Sequence, residues 1–245
     1  MMAQAGKPGM LAKFVLIVGL IGLAALPVGA LGYRFGQWEL TTGLAVVFSG
    51  IVLATIVLVL GIATLIFVYT RRRRADRMPA LIGLAASVVV LAVTGPQYAG
   101  LSMPMTTDVA TNRDEPPSFE HLAANRDPGA NLLAYTEDEA RVQAEGYPDL
   151  VGIRAEGGVE VNFAKAVAVA RALGWDVVNE DANRGLIEAT DATFWFGFED
   201  DLAIRIRREG NETVVDLRSA SRVGLHDLGT NAERIRSFVD RWNDD

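Results

Sequence analysis

Over the first hundred positions apolar residues run in three long blocks; beyond them the pattern shifts to short alternations. Residues 14–31 carry no charge over 18 positions, residues 43–70 none over 28, and residues 79–94 none over 16, with apolar neighbours extending this last block towards Tyr98. About 20 apolar residues cross the hydrocarbon of a bilayer. Three transmembrane helices are therefore predicted, at about 14–31, 43–70 and 79–95. A signal peptide is the alternative for the first block, with basic Lys7 and Lys13 ahead of it and small residues at Val28-Gly29-Ala30, but two further spans follow. Within the spans Gly43, Gly50, Ala54 and Gly61 recur at +7, +4 and +7, and Ala25 and Gly29 lie four apart. Such stripes let backbones approach closely, against another span of this chain or against another protein.

After the membrane region (1–100) and an extended, proline-bearing connection (101–130), residues 131–245 read as a soluble α+β domain. Leu202, Ile204 and Ile206 alternate with Ala203, Arg205 and Arg207, and Val215, Leu217 and Ser219 with Val214, Asp216 and Arg218, the period-2 pattern of half-buried strands. Gly210-Asn211 between them is a two-residue hairpin signal. The pairing it implies sets Ile206 against Val215, Ile204 against Leu217, and Arg205 against Asp216 on the opposite side. Residues 175–180 and 185–190 form a second strand pair. Helices are expected at 136–143, at 160–174 with Gly174 as the stop, and after Thr230, where Glu233 completes a capping box and Ile235, Phe238, Val239 and Trp242 share a face. The expected architecture is a mainly antiparallel sheet of about four strands with helices on one face. The aromatic run Phe194-Trp195-Phe196-Gly197-Phe198 is expected at the rim of the core.

Charge divides the chain at the same place. Residues 1–100 carry eight Lys and Arg against two acidic residues, and the remainder 15 against 28, leaving −13. An acidic domain with one lysine, Lys165, is a poor match for nucleic acid. The basic residues before the first span and the run Arg71 to Arg77 between the second and third predict a cytoplasmic N-terminus and a periplasmic C-terminal domain in a multi-pass protein of the bacterial inner membrane. Ionisable side chains are absent from the spans, which weighs against a pump or transporter. With no cysteine, disulfides and thiolate chemistry are excluded.

Candidate chemistry gathers near the last helix. Arg218 and Arg222 are expected to approach its N-terminus, where free N–H groups favour an anion and Asn231 adds a donor. Alternatively these arginines pair with Asp227 or Asp216 and lock the corner. Ser219 or Ser221 with His226 and Asp227 has hydrolase composition without a nucleophile elbow. Glu199-Asp200-Asp201 offers oxygen ligands but lacks the calcium-loop pattern, and is expected as a solvated acidic start to a strand. Trp195, Asp200 and Asp201 complete the set of candidate contact residues.

Residues 187–190, 195–198, 200–201, 215–224, 227–232 and 234–235 resemble the bacterial and plastid family catalogued as domain of unknown function fourteen ninety-nine. Thr107-Asp108, residues 116–119 and residues 147–150 are similar to its N-terminal part. The resemblance spans residues 104–242, and it implies N-terminal membrane spans and no established activity. The expectation is a membrane-anchored accessory or interaction module, with the lipid bilayer and other membrane proteins as partners and neither nucleic acid nor a cofactor. A small-ligand or anion-binding domain stands second and a hydrolase third.

Overall fold

The computed structural model describes residues 7–244, so the first six residues of the expected membrane region and Asp245 lie outside it. The chain divides into two compact units, Met1–Ala99 and Gly100–Asp245.

The first unit contains three helices long and apolar enough to cross a membrane: α1 (Met10–Arg34), α2 (Leu40–Thr70) and α3 (Arg74–Gly100). Their small residues face one another within the chain. A Cβ on Gly29 would lie 2.6 Å from the Gly43 carbonyl oxygen, and one on Gly83 would lie 2.2 Å from that of Val15. These close approaches are open to glycine and closed to larger residues. Hydroxyls inside the apolar helices donate to their own backbone: Thr55 to Ile51, Thr64 to Leu60 and Thr94 to Val90, each at 2.7–2.9 Å. This satisfies groups that hydrocarbon would leave unpaired.

The second unit is an α+β domain built on a six-stranded antiparallel sheet. Its strands are β1 (Asp108–Ala110), β2 (Ile153–Ala155), β3 (Asp176–Asp181), β4 (Leu186–Ala192), β5 (Glu199–Glu209) and β6 (Glu212–Ser221). The order is β1-β6-β5-β4-β3, with β2 also pairing the outer edge of β6. Two more strands are present than expected. Both β1 and β2 are three residues long, too short to show alternation, and β1 lies within what was expected to be plain extended connection.

The β5–β6 hairpin has the expected register. Ile206 pairs with Val215, Ile204 with Leu217 and Arg205 with Asp216, closed by Gly210 at φ +59°. At the neighbouring turn Gly185 has φ +62°, and a Cβ there would sit 2.1 Å from the Ile206 carbonyl oxygen. Helices α6 (Val159–Ala172) and α7 (Thr230–Asp244) pack on one sheet face. Ile187, Leu202, Ile204, Ile206, Val215 and Leu217 meet Phe163, Val167, Ile235 and Phe238 there in a continuous core. Trp175, Phe238 and Trp242 stack through it at centroid distances of 5.6 and 6.0 Å.

The opposite face is also covered. The segment between β1 and α5 (Glu137–Gly146), including the short helix α4 (His121–Asn125), lays Phe119, Leu122 and Leu133 over Ala203 and Ala220. Helix α5 starts with a reciprocal capping box between Thr136 and Glu139. The box expected at Thr230 does not cap α7. Asp227 takes that role instead, accepting from the N–H groups of Gly229 at 2.9 Å and Asn231 at 3.0 Å.

A domain of this size with its own core is expected to fold alone. A fragment beginning at Gly100 should melt in one cooperative transition in denaturant. A soluble fragment with no cooperative transition would contradict that.

Candidate functional site

Strand β6 is buried along nearly its whole length, so its alternating side chains enter two different interiors. On the helix-covered face Val215 and Leu217 give way to Ser219 and Ser221 towards the strand end, where α7 begins. Ser219 donates to Asn231 Oδ1 at 2.6 Å, and Asn231 Nδ2 reaches Ser221 Oγ at 2.9 Å and the Thr107 carbonyl at 3.0 Å. Arg234, one turn further along α7, bonds Asn231 Oδ1 at 2.9 Å, Asp200 at 2.8 Å and Asp191 at 2.9 Å. These groups form a closed polar cluster at the end of the core. Burial raises the Asp200 carboxyl above its ordinary value, outweighing the opposing pull of Arg234 and Ser221.

On the other face Asp216, Arg218 and Ala220 point towards the covering segment. Arg218 and Asp108 are both buried and form a forked pair, at 3.0 Å from Nε and 2.6 Å from the terminal nitrogen. The same guanidinium donates to the carbonyls of Pro117 at 3.2 Å and Leu133 at 2.8 Å and lies over the rings of Phe119 and Tyr135. Burial raises Asp108 against the pull of Arg218, and raises Tyr135 as well. Asp201 is held between Arg126 at 2.7 Å and Arg222 at 2.8 Å, while Arg222 also pairs with Glu199. Burial pulls the Arg222 value down, but hydrogen bonds and charge from Asp201 and Glu199 outweigh it and raise the value. Glu188, fully buried, accepts from the backbone N–H groups of Glu120, His121 and Leu122 and from Asn179, holding α4 to the sheet.

The corner therefore differs from its sequence reading. Arg218 and Arg222 do not approach the α7 N-terminus or pair with Asp227, because β6 alternation sends them to the opposite face; Asp216 shares that face but is taken by Arg205 and Arg207. Arg234 occupies the place they were expected to fill. Asp227 is spent on the helix cap. His226 Nε2 is buried without a hydrogen-bond partner, and the hydroxyls of Ser219 and Ser221 bond to Asn231 instead. Asp200 and Asp201 are not a solvated acidic start: both are buried, and they face opposite sides of the sheet. Among the described residues no group of three acidic or histidine side chains is placed to hold a metal. Trp195 is half-exposed at the β4–β5 turn, edge-on to Phe194 at 5.2 Å, so these two rings stand outside the core rather than at its rim.

Arg234, Asp108, Arg126 and Glu188 were missed as site residues. A signal for Arg234 existed in its i, i+3 spacing from Asn231. Nothing periodic marks the others.

A family profile described as protein of unknown function (DUF1499) matches residues 108–241, from the partner of Arg218 through almost all of α7. The chain belongs to this family. Comparison with curated proteins finds no match. The matched region of this DUF1499 protein contains both arms of the hairpin and every charge pair that closes its second face.

Two consequences are measurable. Removing Arg218 strands a buried carboxylate, so Arg218→Ala should cost about 3–5 kcal/mol of domain stability. Arg222 is 19% exposed and Asp201 keeps Arg126, so Arg222→Ala should cost about 1.5 kcal/mol. Urea unfolding of the two variants checks the order, and a larger loss for Arg222→Ala would refute this reading. The second concerns pH. Asp108 and Asp200 have folded-state values raised above 3.8, so the stability they contribute is full below 3.8 and falls as pH rises through the raised values. The urea midpoint should hold or rise as pH is lowered from about 7 to 5; a steady fall across that window would show that these carboxyls titrate the other way.

Proposed function

We propose that this DUF1499 protein is a membrane-tethered accessory module whose C-terminal domain docks onto another membrane protein. In this reading the three apolar helices cross a bacterial inner membrane. The basic residues Lys7, Lys13 and Arg71 to Arg77 hold the N-terminus and the second loop in the cytoplasm, which sets the acidic domain on the periplasmic side.

The observation that carries the docking role is a surface groove of about 310 Å³ between α7 and the turn at residues 149–151. It is lined by Leu150, Val151, Ile235 and Val239 together with the Arg236–Asp149 ion pair at 2.7 Å. That volume lies at the bottom of the range of small-molecule pockets and suits an anchoring side chain of a partner. The Asp149 carboxyl is lowered by its hydrogen bonds from Arg236, so the pair stays charged at neutral pH. The anion-binding reading has less support, because the donors of Arg218, Arg222 and Arg234 already go to acceptors inside the fold.

Mild-detergent purification of the tagged full chain should recover a membrane protein in fixed ratio. Val151→Glu with Asp240→Lys should lose it while the domain melts at an unchanged temperature. Recovery of the same partner by the double variant, or of no partner by the wild type, would overturn the docking reading. A periplasm-active reporter should work when fused after the last residue and fail at Ala75; the reverse pattern would reverse the topology.

A further inference from the structure

The outer edge of β6 is covered in two pieces. Strand β1 pairs with residues 218–220 and β2 with residues 213–215, so Asp216 and Leu217 fall in the gap between them. The backbone there is already served: Thr111 N–H donates to the Leu217 carbonyl and Leu217 N–H to the Thr111 hydroxyl, both at 2.8 Å. What the gap leaves open is a side chain. A hollow of about 400 Å³ includes Thr111 and Asp216 in its lining and shares only Leu150 and Val151 with the groove beside α7. Its volume is within the range of small-molecule pockets.

One acceptor in the lining is unused. Asp216 is 2% exposed, and its Oδ2 takes Arg205 at 2.9 Å and Arg207 at 3.3 Å. Its Oδ1 accepts from no described residue. Gly152, also in the lining, stands beside it, and a Cβ there would lie 2.7 Å from Oδ1 and cover it. A buried carboxylate oxygen without a donor costs free energy, which a donor arriving in the hollow recovers. That donor is a neutral N–H or O–H, because two guanidiniums already lie on Oδ2 and would repel a further cation.

The lining has donors to spare as well. Arg113 has no hydrogen-bond or ion-pair partner among the described residues. Arg207 directs Nε at Asp216 and Nη1 at Glu209, the latter at 2.8 Å, which leaves Nη2 unpartnered. Of the acids in the lining besides Asp216, Glu209 is matched by Arg207 and Asp114 is exposed to solvent. Spare guanidinium donors, one spare acceptor and the apolar groups of Leu150, Val151 and Val214 call for an anion with a neutral N–H close to it and an apolar side chain. An acylated amino acid has all three. We infer that the hollow binds an acylated amino acid, its carboxylate met by the planar fork of Arg113 and its amide N–H donating to Asp216 Oδ1. A free amino acid fits less well, because its ammonium would face Arg205 and Arg207, and a phosphate dianion has no proton to give Asp216. A free N-acyl amino acid and the last residue of a peptide chain offer the same chemistry.

Calorimetric titration of the full chain in mild detergent tests this with N-acetyl-leucine as the probe. One molecule should bind per chain. Its methyl ester, which has no carboxylate, and its N-methylated form, which has no amide N–H, should each bind at least about tenfold more weakly. Arg113→Gln should weaken N-acetyl-leucine to the same degree with the urea midpoint unchanged, since Arg113 holds nothing in the fold. Equal binding of the N-methylated form would show that Asp216 accepts nothing from the ligand, and equal binding by Arg113→Gln that the carboxylate is held elsewhere; either overturns the assignment. Inorganic phosphate binding as tightly as N-acetyl-leucine would show a plain anion site, and no heat at millimolar probe would leave the hollow to water; both overturn it too. A tetrapeptide ending in leucine then identifies the source: tighter binding than N-acetyl-leucine assigns the site to a peptide end, and equal or weaker binding to a free acylated amino acid.

Discussion

The pair of Asp108 with Arg218 is the constraint on which the domain depends. An antiparallel hairpin with one face on a helical layer usually leaves its other face to water, and charged residues at alternate positions fit that arrangement. Here the second face is closed, so each charge on it has to be matched in a low-dielectric interior. Arg218 brings together more of that closure than any other side chain described. It holds β1 through Asp108, the covering segment through the Pro117 and Leu133 carbonyls, and the small apolar patch through the Phe119 ring. Forked recognition of a carboxylate needs the planar guanidinium, with remaining donors fixed in direction. A lysine there would meet Asp108 and leave the carbonyls unserved.

Glu188 shows the same economy with the opposite charge. Among the described residues it has no cationic partner within hydrogen-bond distance, and its oxygens are met by three successive backbone N–H groups and one amide. Those N–H groups are the free donors at the start of α4, so burying the carboxylate and ending the helix are solved by one contact. A five-residue helix has little stability of its own. It exists because the sheet supplies its cap.

What was legible in the sequence follows from which interactions leave a periodic trace. Ile204, Ile206, Val215 and Leu217 repeat every second residue, and Gly210-Asn211 fixes their register, so the hairpin and its Arg205–Asp216 pair could be read directly. The three apolar blocks were legible for the same reason, and the glycine stripes proved to pack within the chain. The closure of the second face left no such trace. It is made by single contacts between distant residues, Arg126 with Asp201 and Asn131 with the Ser221 carbonyl among them, set in a segment whose prolines and polar residues resemble a linker. The alternation did hold the information that Arg218 and Ser219 face opposite ways. A reading of residues 218–222 as one corner ignores that alternation and sets the two arginines at a helix N-terminus where the structure has Arg234.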